Sequence, residues 1–311
     1  MSPVKKSGVL VLDKPRGPTS HDAVARVRRT LGIREVGHAG TLDPMATGVL
    51  VLAVGEATKL VPWLATQDKT YEATIALGVE TDTLDADGRV VRRLPPSVEL
   101  LAALGSFGAE FGIPATLGEA LAAERARTSQ LPPAFSAIKQ GGERAYARAR
   151  RGEHTILAAR EVNVRRLELL ACRQEPPSLD VGLEVGKGYY VRALARDLAG
   201  ALGTVGHLTS LRRTRSGRFG CEVALSYGAS REELTARMHP LPVAAAQALP
   251  VTQLTEAGAD DARHGRLVHL RDILAFVPGL SAWIDPCGDL VAVGEVDQMN
   301  GGRVTRGFAS S

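Results

Sequence analysis

The chain has 311 residues, 44% hydrophobic and 23% charged, with a formal net charge of +4, enough apolar material for a sizeable core in about two domains. Its longest apolar run, VLVLAV at 49–54, is far short of the roughly 20 residues of a membrane span. MSPVKKSGVLVLDKP lacks the apolar run and cleavage site of a signal peptide, so a cytoplasmic protein is expected.

In chain order, GVLVLDKP (8–15) reads as a strand entering a turn. Ser20 is placed to cap a helix whose apolar face is Ala23, Val24, Val27 and Leu31, ended by Gly32. GVLVLAVG (48–55) reads as a buried strand, and KTYEATIAL as a half-buried one with Tyr71, Ala73, Ile75 and Leu77 on one face. TDTLDADG (81–88) is an acidic, turn-rich tip. Residues 179–185 alternate as a strand, followed by a helix with Val191, Leu194, Ala195 and Leu198 on one side, stopped near Gly203. Arg192 and Arg196 fall on its other side. After the proline-rich 240–250, short strands and glycines predict a small β-rich domain of about 60 residues. Strands and helices mix without βαβ alternation, so an α+β fold is expected.

Several chemical motifs are excluded. GLEVGKG (182–188) lacks the spacing and the Ser/Thr of a phosphate loop. TLDADGRVVRRL has Thr83 and Leu94 where a calcium loop needs ligands, so a hairpin tip is expected. His264 and His269, with Asp260 and Asp261 nearby, fit no metal-ligand spacing. Three widely spaced cysteines, Cys172, Cys221 and Cys287, contain no CxxC pair and read as buried free thiols. No cofactor and no metal are expected.

Two features do suggest chemistry. Arginines concentrate at 144–166 (Arg144, Arg148, Arg150, Arg151, Arg160, Arg165, Arg166) and in TSLRRTRSGR at 209–218; the guanidinium fork suits phosphate, although a solvated helix face fits the same pattern. GHAGTLDPMATG (37–48) sets one carboxylate, Asp43, among glycines. The following Pro44 holds Asp43 extended, and the glycines permit tight turns and close approach. Such a loop offers a carboxylate to a ligand, and equally fits an aspartate that only caps a turn.

KPRGPTSHDAVARVRR and GHAGTLDPMATGVLVLAVGEATKL resemble the signature of the TruB family, the bacterial tRNA pseudouridine-55 synthases. The likeness continues in order through KTYEATIALGVETDTLDADG, QLPPAFSAIKQGGERAYARARRG, KGYYVRALARDLAGALG and HLTSLRRTRSGRF, covering most of residues 8–220. It implies a pseudouridine synthase fold with a mixed, largely antiparallel sheet flanked by helices over 1–248, an RNA-gripping insertion at about 125–155, and a small PUA-like RNA-binding domain at 249–311. The implied substrate is the T-arm of tRNA, bound by a monomer, with one uridine flipped out and its base rejoined to the ribose through C5.

By the same resemblance, Asp43 is the catalytic aspartate, acting on the ribose or on the uracil ring, and Arg192 is its cationic partner. Tyr71 stacks on the base and helps move the C5 proton. Tyr190 and Leu211 line the uracil, and His38 fills the gap left by the flipped nucleotide. Without the resemblance Tyr71 reads as strand packing, Tyr190 as a helix-start aromatic, Leu211 as core and His38 as a turn residue. Arg148, Arg150, Arg151, Arg212, Arg213 and Arg215 are expected to bind RNA. The chain departs from the family pattern at Ala39, usually Thr, and at Tyr189, usually Thr. A lengthened segment over 95–130 reads ERARTSQLPP before the proline pair instead of F-x-G-x-I-x-Q, and is expected to form a surface excursion.

Overall fold

The computed structural model describes residues 7–108, 112–135 and 157–309, with the backbone alone of 139–140 and 143–144. The described residues form two compact units. One comprises the chain up to Pro44, Gly48–Gln67 and everything from Arg215 onward; the other comprises Met45–Thr47 and Asp68–Thr214.

The first unit is built on two apolar strands. Gly8–Lys14 pairs antiparallel with Thr47–Val54, in register from Gly8 opposite Val54 to Lys14 opposite Gly48. It also pairs parallel with Leu225–Ser226 and antiparallel with His239–Pro240. Both long strands are buried almost throughout, which is why they read as continuous apolar runs rather than alternating ones.

The helix Ser20–Leu31 buries Ala23, Val24, Val27 and Leu31 and ends at Gly32 in the left-handed region (φ 70°), as its pattern predicts. Its cap, however, is Thr19. The Thr19 hydroxyl accepts from the Asp22 N–H at 3.1 Å, and the Asp22 carboxylate accepts from the Thr19 N–H at 2.8 Å. That reciprocal pair fixes the helix start and releases the Ser20 hydroxyl for another role.

The rest of this unit lies near the C-terminus. A sheet of five strands runs in the order Ile273–Ala275, Val251–Leu254, Gly279–Ile284, Leu290–Asp297 and Gly301–Gly307. It is antiparallel except where Val251–Leu254 meets Gly279–Ile284. One hydrophobic core joins the two ends of the chain: Val9, Val11, Val49 and Val51 share it with Leu241, Ala244, Ala245, Ala282, Val293 and Phe308. A second cluster surrounds the fully buried Trp283.

The second unit has Val164–Gln174, Pro177–Val185, Lys69–Leu77 and Gly206–Ser216 as neighbouring strands. The helix Val191–Ala201 buries Val191, Ala193, Leu194, Ala195 and Leu198. Contrary to expectation, 95–130 is more than a surface excursion. It folds into the helices Val98–Gly105 and Ala115–Arg125, which bury Leu100, Leu104, Leu117, Leu121 and Glu124. Spaced leucines give each helix an apolar stripe to cover. The architecture is α+β with mixed sheets, as read from the sequence. None of the three cysteines is in a disulfide, but Cys172 and Cys221 are only half-buried and Cys287 is exposed.

Trp283 fits because glycines face it. A Cβ added at Gly294 would overlap the indole and the Arg303 carbonyl. Gly294→Ala is therefore expected to destabilise the protein by about 1–3 kcal/mol, the usual cost of overpacking, measured by urea unfolding followed through tryptophan emission.

Candidate active site

In the first unit, the glycine-rich stretch is tied down on both sides of Asp43. On the N-terminal side, the Ser20 hydroxyl accepts from the Leu42 N–H at 2.8 Å and lies 3.1 Å from the Leu42 carbonyl, to which it donates. On the C-terminal side, the Lys14 ammonium, fully buried, donates to the carbonyls of Pro15 (2.8 Å), Pro18 (2.9 Å) and Pro44 (3.3 Å). The Gly17 N–H also donates to Pro44. Residues 42 and 44 are thus both anchored, and the half-buried Asp43 is held between them. Positive φ angles at Gly40 (131°) and Gly48 (100°) let the chain enter and leave this arrangement. His38, at the end of the strand Val36–His38, is half-buried with its ring edge-on to His21 at 5.3 Å. The importance of Lys14 and Ser20 was not apparent from the residues alone; their partners lie 30 and 22 positions away.

In the second unit, Arg192 is 6% exposed and does not face solvent as the helical pattern suggests. Its Nη1 donates to the Thr83 carbonyl and its Nη2 to the Phe135 carbonyl, each at 3.0 Å. Its Nε lies 3.7 Å from Asp85 Oδ2. Asp85 belongs to the acidic tip TDTLDADG, yet it too is buried. Its carboxylate accepts from the Thr83 hydroxyl at 2.6 Å and the Asp87 N–H at 3.1 Å. Leu84 is forced to a φ of 62°, a conformation that costs a non-glycine residue on the order of 1 kcal/mol. The segment does close an antiparallel hairpin between Val79–Thr81 and Val90–Arg93, as its residues suggest, but Leu84 and Asp85 are turned inward, which the sequence reading did not anticipate.

Tyr71 stands opposite Leu183 in the strand pair, half-buried. Tyr190 is the extended residue that begins the helix carrying Arg192, and Leu211 is buried on Gly206–Ser216. On that same strand Arg212 is half-buried and Arg215 exposed. Arg213 is only 1% exposed, so its guanidinium belongs to the interior and not to the RNA-facing surface expected for it. Arg148, Arg150 and Arg151 lie outside the described residues. Burial, reinforced by Arg213 and Lys187 and opposed by Asp68, lowers the Lys69 ammonium from 10.5 to about 8.

Among the described residues, no group of histidines, cysteines and acids is arranged to hold a metal, and no helix is long and apolar enough to cross a membrane. The first unit thus holds a tethered carboxylate, and the second a cation fixed by two carbonyls and a carboxylate.

The family model for the TruB family pseudouridylate synthase N-terminal domain matches residues 28–191. Similar proteins named tRNA pseudouridine synthase B include one from Mycobacterium sp. (strain KMS), 46% identical over 92% of this chain and 91% of the relative. Another, from Cutibacterium acnes (strain DSM 16379 / KPA171202), is 42% identical over 96% of each. In shape the chain resembles a protein in an H/ACA RNP bound to a substrate RNA containing 2′-deoxyuridine, with a TM-score of 0.67 at 23% identity over 97% of this chain and 85% of that one. It also resembles a chain of a Cbf5–Nop10–Gar1 complex, with a TM-score of 0.68 at 24% identity over 97% and 84%. Those two likenesses establish the pseudouridine synthase fold. The chain belongs to the TruB family of pseudouridine synthases. It is an enzyme that isomerises uridine.

Two outcomes follow from this geometry. Ser20→Ala removes both bonds to Leu42 and strands two buried backbone groups, so stability should fall by about 1–3 kcal/mol and turnover should fall with it, measured by urea unfolding and by product formation. For Lys69 the folded pKa lies below the unfolded one, so the unfolded state binds the extra proton and stability rises with pH between about 8 and 10.5. Lys69→Met should flatten that rise relative to wild type in unfolding curves collected across this range.

Proposed function

We propose that the protein converts the uridine at position 55, in the T-arm loop of tRNA, to pseudouridine. The tRNA substrate is supported by relatives named tRNA pseudouridine synthase B that match nearly the full chain at 42–46% identity. The mechanistic reading rests above all on the double anchoring of Asp43. A loop restrained at both neighbours presents its carboxylate in one geometry, as an attacking group requires.

The target base is flipped out of the RNA loop at a cost of a few kcal/mol, offset by contacts to the extruded base. His38 fills the vacated stack. Tyr71 stacks on the uracil, while Tyr190 and Leu211 line it. The ionised Asp43 carboxylate acts on the ribose C1′ or on the uracil ring, the C1′–N1 bond breaks, the base turns, and a C1′–C5 bond forms. The C5 proton is then lost with help from Tyr71. C5 gives its proton to solvent, N1 takes one up, and any bond formed to Asp43 is released as C1′–C5 forms, so the product is an isomer of the substrate and the reaction calls for no redox partner.

The Arg192 guanidinium supplies the positive charge that serves the Asp43 carboxylate during the reaction. Asp85 and the Thr83 and Phe135 carbonyls hold Arg192 in place for this purpose. Arg212 and Arg215, with Arg148, Arg150 and Arg151, contact phosphates; such contacts position the RNA and make binding salt-dependent. Residues 249–311 act as the PUA-like RNA-binding domain, the insertion at about 125–155 grips the RNA arm, and the protein works as a cytoplasmic monomer.

The test uses purified protein and an unmodified tRNA transcript tritiated at uridine C5. Tritium release should stop at one equivalent and map to the T loop. Asp43→Asn should bind tRNA as wild type does and release none. Release at another position, or release by Asp43→Asn, would overturn the proposal.

A further inference from the structure

The loop that precedes Arg192 is held by a residue to which neither the family match nor the resemblance gives a role. Gln130 is 1% exposed. Its Oε1 accepts from the Tyr190 N–H at 2.9 Å, and its Nε2 donates to the Tyr190 carbonyl at 3.2 Å. The two bonds engage both backbone polar groups of one residue, as a neighbouring strand would. Only one orientation of the amide satisfies both, because the N–H needs an acceptor and the carbonyl a donor.

Tyr190 is also the residue that starts the helix Val191–Ala201, extended at φ −109° and ψ 111°, with no side-chain cap of its own. Its carbonyl receives the first helical bonds from Ala193 and Leu194. The direction of the first turn, and with it the Arg192 side chain, is therefore set by how the Tyr190 backbone is held.

Around this clamp, 124–135 is strapped to the same helix start. The Tyr189 hydroxyl donates to Glu124 at 2.8 Å, and Arg127 pairs with the other Glu124 oxygen at 2.6 Å. Arg196 donates to the Leu131 carbonyl and Arg192 to that of Phe135. Gln130 is itself fixed by strand pairing opposite Arg160.

We propose that Gln130 is a positioning residue for Arg192, acting through the Tyr190 backbone. The inference rests on the reading of Arg192 given above. Misplacing a reacting group by about 1 Å costs roughly a hundredfold in rate, so a clamp two residues from the guanidinium has leverage on turnover without touching RNA.

Three variants test it, using the full chain and an unmodified tRNA transcript under single-turnover conditions, with tRNA affinity and Tm measured in parallel. Gln130→Met keeps the length and removes both bonds; its rate should fall by about 10- to 100-fold with tRNA affinity within about twofold. Gln130→Glu keeps the acceptor, but its ionised form repels the Tyr190 carbonyl. When protonated, its O–H replaces the lost donor, and burial raises its pKa toward neutrality. The ratio of its rate to the wild-type rate should therefore climb as pH is lowered from 8 to 6. Arg160 lies opposite position 130, and Glu124, Arg127, Tyr189, Arg192, Arg196 and Asp197 flank the same helix start; all are present in both proteins, so the ratio isolates the change at position 130.

A wild-type rate for Gln130→Met, a loss confined to tRNA affinity, or a pH-independent Gln130→Glu ratio would overturn the inference. If Gln130→Met does not fold, the Gln130→Glu ratio decides alone. Arg192→Ala separates the two levels of the argument. Turnover by that variant would sink the reading of Arg192 itself, whereas an inactive Arg192→Ala beside a wild-type-like Gln130→Met would sink only the role of Gln130.

Discussion

The loop that carries Asp43 is tied to the rest of the structure by one buried ammonium. A charge in a protein interior is costly, and is tolerated where polar partners replace its water. The Lys14 partners are the carbonyls of Pro15, Pro18 and Pro44, and the last of these belongs to the residue after Asp43. Lys14 is also the final residue of the strand Gly8–Lys14. The strand ladder fixes Lys14, the ammonium fixes Pro44, and Ser20 fixes Leu42 from the first turn of a helix. The carboxylate inherits its position from regular structure at one remove, although it stands in a loop.

The second unit uses the same physics. There the buried cation is Arg192, and the Thr83 and Phe135 carbonyls and the Asp85 carboxylate converge on it. Asp85 spends its remaining capacity on Thr83 and on the Asp87 N–H. A fully satisfied network of this kind holds one geometry, whereas a network missing one member leaves a buried charge exposed to its own desolvation cost. The left-handed Leu84 is the local strain that this loop tolerates to turn Asp85 inward.

The contrast between what could and could not be read from the residues follows from sequence distance. The apolar face of the helix Ser20–Leu31, its Gly32 end, the two buried strands and the half-buried strand with Tyr71 all follow from periodicity within a dozen residues. The candidate residues Asp43 and Arg192 were reached through family resemblance, since their local patterns fit blander roles equally well. Thr19 displaced Ser20 as the cap because a capping box depends on which of two adjacent hydroxyls meets Asp22. Asp85 and Arg213 looked like surface charges, and only contacts from segments far away in the chain bury them. The same is true of Glu124 and Gln130, on a segment whose length suggested a surface loop.

The hydrophobic core of the first unit draws Val9 and Val11 together with Val293 and Phe308. During synthesis on the ribosome, Val9 and Val11 emerge nearly three hundred residues ahead of their core partners Val293 and Phe308. Residues 68–214 form a continuous run that reaches completion first, and domains generally fold as their chain becomes available. The core of the first unit can therefore close in full only after the middle of the chain has been made.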